Sequence, residues 1–117
     1  MKAKIVQFHI IQDMLGDDPE DMKEFCRAAV SSFTEFKDHY KTTMRNRDMQ
    51  ELRKLGHKMK PVALMMGINQ MVDEYENAKE LLKREARTPL IHASIEKQQL
   101  LCDQVIEDLS SKLINRD

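Results

Sequence analysis

The chain has 117 residues, enough for one domain around a single core. Nineteen Lys and Arg nearly cancel twenty Asp and Glu, so the charge balance lacks the basic surplus that nucleic-acid binding wants. No apolar run approaches membrane-spanning length, and Met1-Lys2-Ala3-Lys4 is not followed by a signal-peptide core, so the expectation is a cytoplasmic protein.

Three Gly, three Pro and no Trp, against an abundance of Met, Leu, Lys, Glu, Gln and Arg, favour helix nearly throughout. Residues 3 to 15, with Ile5, Phe8, Ile11, Met14 and Leu15, predict a short amphipathic helix capping one end of a bundle. Gly16 and Asp17 break it. Asp18 is a good N-cap, Pro19 suits the first helical position, and Glu20 and Asp21 complement the dipole of a long helix running to about Arg45. Its inner face reads Met22, Phe25, Ala29, Phe33, Phe36, Tyr40, Met44. Asp48 with Glu51 spells a capping box for the next helix, which ends near Gly67. Residues 69 to 87 predict a further helix with Met71, Val72, Tyr75, Ala78 and Leu82 inward. Thr88 and Pro89 read as N-cap and first residue of the last, lined by Ile91, Ile95, Cys102, Val105, Leu109 and Leu113. Short connections force neighbouring helices antiparallel. The expected fold is all-α: an antiparallel four-helix bundle with a short N-terminal capping helix, one domain over 1–117.

Most of the nine methionines fall at core positions. Cys26 and Cys102 show no Cys-x-x-Cys or Cys/His spacing, so they read as buried reduced thiols and no metal site is expected. A P-loop, a Gly-rich nucleotide loop and an acidic cluster for Mg²⁺ are all missing. The chain is expected to carry no cofactor and to have no independent catalytic or ATP-binding site.

One stretch carries chemistry. Leu52, Leu55, Met59, Val62 and Met66 alternate by three and four, the seam of a packed helix. His57 lies roughly 170° from the mean of that seam, with Arg53, Lys60, Pro61 and Leu64 near it on the outer face. Neutral imidazole is a nucleophile near pH 7 and can hold a phosphoryl group as a phosphoramidate. Lys60, one turn along, is aimed to contact phosphoryl oxygens as they gather charge. Lys54 and Lys58 read as solvated charges. His9, His39 and His92 lack this setting and read as structural or surface residues.

Residues 55–67 resemble the central motif of the histidine-containing phosphotransfer (HPt) domain. That family carries His-x-x-Lys-Gly with a second Gly ten positions after the His, and His57, Lys60 and Gly67 stand at the matching places. Pro61 replaces the first Gly; Val62 and Ala63 replace the small residues after it. Leu15 to Glu20 looks like the family's entry to its first long helix, and Phe25, Phe33 and Phe36 follow at its apolar positions. The resemblance covers nearly the whole chain, although only the His-x-x-Lys…Gly core is specific.

The resemblance implies a phosphorelay intermediate, and a monomer is expected. His57 would accept phosphate from the aspartate of a response-regulator receiver domain, or take it in a relay from a (hybrid) histidine kinase, and pass it to another receiver. The partner would supply the acidic pocket and Mg²⁺; neither nucleic acid nor membrane is an expected partner. Arg53, Pro61 and Leu64 are the expected docking residues. In a helix interior Pro61 removes a donor and clashes with the His57 carbonyl, so a bend is expected there. Its ring also fills space that Gly would leave to a partner. The alternative is therefore a helical-bundle adaptor that docks receivers or other signalling proteins without transfer.

Overall fold

The computed structural model describes residues 4–114, and among them it holds five α-helices and no strand. These are α1 (Phe8–Leu15), α2 (Pro19–Arg45), α3 (Met49–Met65), α4 (Asn69–Lys83) and α5 (Thr88–Ser111). The most extensive packing is α2 along α5; α3 lies against α2 and α4, α4 against α5, and α1 against α2. No described helix is long and apolar enough to cross a membrane.

Most of the predicted seam positions are buried; Met22, Phe25, Val62, Val72 and Leu113 are only partly covered, and on α4 Leu81 is buried where the sequence predicts Leu82. Phe33, Phe36, Tyr40 and Met44 of α2 meet Leu52, Leu55 and Met59 of α3, Met71, Tyr75 and Ala78 of α4, and Ile91, Ile95, Cys102, Val105 and Leu109 of α5 in one core. Burying a side chain of this size contributes about 1.5–3 kcal/mol. Met44, Met66 and Met71 are fully buried and Met59 nearly so, while Met14 is exposed.

Three connections repeat one device. Arg47, Gly67 and Glu85 each adopt positive φ, of 52°, 68° and 52°. Each donates its N–H to the carbonyl three residues back, and the next residue donates to the carbonyl five back: Asp48 to Thr43, Ile68 to Ala63, Ala86 to Leu81. This is the Schellman stop, which satisfies carbonyls that a helix end leaves bare.

Two boundaries and one cap depart from expectation. α4 stops at Lys83, not 87, because the turn at Glu85 closes it. The capping box is only half formed: Asp48 Oδ1 accepts from Glu51 N–H at 3.1 Å, but the Asp48 N–H is already spent on Thr43. Arg87, not Thr88, is the N-cap of α5, since the Arg87 carbonyl accepts the first helical bonds from Leu90 and Ile91.

α1 also starts later than expected. The preceding residues are tied down instead of helical: Gln7 N–H donates to Met66 O at 2.8 Å, and the Ile5 and Val6 N–H groups donate to Asp108 Oδ2 at 2.7 and 3.1 Å. Gly67 makes room for this segment, since a Cβ there would stand 2.5 Å from Gln7 Cγ.

A polar chain crosses the core. Ser94 Oγ donates its single proton to Glu74 Oε2 at 2.6 Å, so the Tyr40 hydroxyl, 2.7 Å away, donates to Ser94. Asn77 donates to the same carboxylate oxygen, and Lys97 Nζ stands 3.4 Å from the other. A buried carboxylate so supplied is compensated; stripped of its donors it would be costly. Burial, and secondarily the Glu74 charge, hold the Tyr40 phenol well above the usual range.

Gly56 of α3 lies directly under the Tyr75 ring of α4, so an added Cβ there would collide with the ring. Helix propensity alone favours Gly56→Ala by about 1 kcal/mol. Overpacking against the buried Tyr75 opposes it by about 1–3 kcal/mol. The expected outcome is a lower melting temperature by circular dichroism; a higher one would show that Tyr75 yields freely.

Candidate functional site

The site is the wet face of α3. Leu52, Leu55, Gly56, Met59 and Ala63 are buried on one side; Arg53, His57, Pro61 and Leu64 are exposed on the other. Leu64 is 54% exposed, so it does not turn back into the core after the proline. α3 runs on as helix through Pro61. Having no N–H, Pro61 leaves the His57 carbonyl without its usual helical donor.

Tyr75, seated over Gly56, brings α4 alongside this face. Lys60, half-buried, reaches across to α4, where its Nζ lies 3.7 Å from Glu76 Oε1. The other carboxylate oxygen, Glu76 Oε2, is 3.0 Å from Lys79 Nζ, and Lys79 also stands 4.8 Å from the centre of the Tyr75 ring. Lys79 first, and Lys60 less strongly, hold the Glu76 carboxyl below its usual range. Lys54 is 3.8 Å from Glu51, and Lys58 is exposed beside His57.

On the α2 side the face runs into an open groove of about 220 Å³. Phe33, Phe36 and His39 of α2 and Leu55, Lys58 and Val62 of α3 line it.

All four histidines, His9, His39, His57 and His92, are exposed. Outward position is therefore not what distinguishes His57; the lysine one turn along is. Gly67 is not part of this face: it forms the turn after α3 and seats the N-terminal segment. Among the described residues no group of three or more His, Cys, Asp or Glu is placed to hold a metal ion. Cys26 and Cys102 are buried, and burial pushes the thiol up in both, to about 12 for Cys102, so neither is a ready nucleophile.

Sequence reasoning missed Tyr75, Glu76 and Lys79. Tyr75 reads only as core, and nothing in the sequence singles out Glu76 and Lys79. Their place beside Lys60 depends on the register of α4 against α3, which no local pattern encodes. Comparison with family models, curated proteins and solved structures found no match to this chain.

Exposure of Leu64 has a direct test. Leu64→Asp is expected to change stability by no more than about 0.5 kcal/mol, as surface changes do. Denaturant melts of the two proteins compare it; a large loss would place Leu64 in the core.

Proposed function

We propose that this chain is an HPt-type phosphocarrier, its α2–α5 forming an antiparallel four-helix bundle capped by α1. His57 takes a phosphoryl group from the aspartyl phosphate of a receiver domain and gives it up to another. A neutral imidazole nitrogen attacks phosphorus, the P–N bond forms as the P–O bond breaks, and the aspartate carboxylate leaves with the electron pair. Such a transfer needs positioning and charge stabilisation more than covalent assistance. The observation that carries the reading is His57 exposed on a helix whose opposite side is buried, with Lys60 one turn along.

The remaining parts fit this use. Pro61 and Leu64 are exposed in line with His57, and Arg53 edges them, as the apolar centre and polar rim of a small transient interface. The groove toward α2 extends that surface. The acidic pocket and Mg²⁺ belong to the receiver, in a cytoplasmic relay fed by a hybrid histidine kinase. Pro61 favours one second reading, because its ring stands exposed where the HPt pattern has Gly: an adaptor that docks receivers without transfer.

The test is incubation with a panel of phosphorylated receiver domains, following the label in time. The wild-type chain is expected to take up phosphate and His57→Gln none. Lys60→Ala is expected to slow transfer about tenfold, less than the ~3 kcal/mol of a donor preorganised in a dry site, because water reaches this lysine. Leu64→Asp is expected to accept poorly while folding normally. Binding of receivers without any transfer would select the adaptor.

A further inference from the structure

Lys60 stands between His57 and α4. On the helical wheel it is displaced roughly 60° from His57 toward the side of Gly56, the residue that Tyr75 covers. Its ammonium is already engaged there, with Glu76. The two contacts of Glu76 are unequal: 3.0 Å to Lys79 and 3.7 Å to Lys60. Lys60 is the loosely held partner, and Glu76 keeps a cation when Lys60 leaves. Lys60 and Glu76 are 42% and 48% exposed, so exchanging partners costs little desolvation.

We propose that Glu76 is a positioning residue of the His57 site: it parks the Lys60 ammonium on the α4 side while His57 is bare and releases it to the phosphoryl group once His57 is charged. This rests on the phosphoacceptor reading of His57. A phosphoryl group brings up to two negative charges near neutral pH and three acceptor oxygens. The Glu76 carboxylate offers one charge, already shared with Lys79. The phosphoryl group therefore wins Lys60, and the exchange leaves no charge stranded. Of the other cations nearby, Lys54 is paired with Glu51, Lys79 with Glu76, and Arg53 and Lys58 make no ion pair among the described residues. Glu76 thus sets how strongly the site holds its phosphate: tightly enough to accept it, loosely enough to pass it on.

The phosphoryl group itself reports the exchange, because a nearby cation lowers its second pKa. The full chain carrying His9→Gln, His39→Gln and His92→Gln, all at exposed positions, is phosphorylated chemically on His57 with phosphoramidate and titrated by ³¹P NMR. Adding Glu76→Gln is expected to lower the phosphoryl pKa by about 0.3 unit, the size of an exposed ion pair. Lys60→Ala is expected to raise it, and in the Lys60→Ala chain Glu76→Gln is expected to have no further effect. An unmoved pKa on Glu76→Gln overturns the proposal. So does an equal shift with and without Lys60, which would make Glu76 a direct charge effect. The label is placed chemically, so failure of receivers to transfer phosphate would overturn the phosphorelay reading while leaving this result standing.

Discussion

The Tyr75 ring occupies the space where Gly56 has no side chain, and the arrangement of the candidate site follows from that contact. It brings α4 close to α3 on one flank and fixes which side of α3 is covered. With Gly56, Leu52, Leu55, Met59 and Ala63 committed inward, His57, Pro61 and Leu64 have only solvent to face. The same approach carries Glu76 and Lys79 to the edge of that face, where they meet Lys60. A packing constraint in the core thereby becomes an electrostatic property of the surface. Close packing transmits such constraints because it leaves no slack to absorb them.

The frame that holds α3 and α4 in register is built from hydrogen-bond accounting as much as from apolar area. Three helices end in the same way, through left-handed residues at Arg47, Gly67 and Glu85, and two of these are not glycine. The conformational cost at Arg47 and Glu85 is offset by two satisfied carbonyls per turn. Asp108 receives two backbone donors from the N-terminal segment, and Glu74 receives Ser94 and Asn77. Both carboxylates are buried and both join distant parts of the chain, α5 to the N-terminal segment and α4 to α5. Polar pairing of this kind specifies register, which apolar seams leave loose.

Much of the helical layout was legible in the sequence, because the apolar residues of each long helix recur at three and four. Asp18, Pro19 and the Phe-rich seam define α2 almost by themselves. The residues that escaped are polar ones standing at core spacing. Glu74 falls between Met71 and Ala78, Ser94 and Gln98 between Ile91 and Cys102, and Asp108 beside Leu109, each on a buried seam. That misfit is itself a signal: a charged residue in the apolar period asks for a buried partner. Its partner is not readable, since Glu74 and Ser94 are brought together only by folding. Asp48 caps α3 as expected, but the second half of its capping box does not form for a related reason: one N–H cannot serve both the end of α2 and the start of α3. The outer face of α3 was readable from angle alone; the engagement of Lys60 by Glu76 was not.

Phosphate uptake by the unmodified chain tests the central claim most directly. The protein is incubated with a phosphorylated receiver domain and Mg²⁺, digested, and mapped by mass spectrometry before and after acid treatment. A single phosphoryl group on the peptide carrying His57, stable in base and lost in acid, is the expected result. An acid-stable phosphate on a Ser or Thr, or a label confined to His9, His39 or His92, would contradict it.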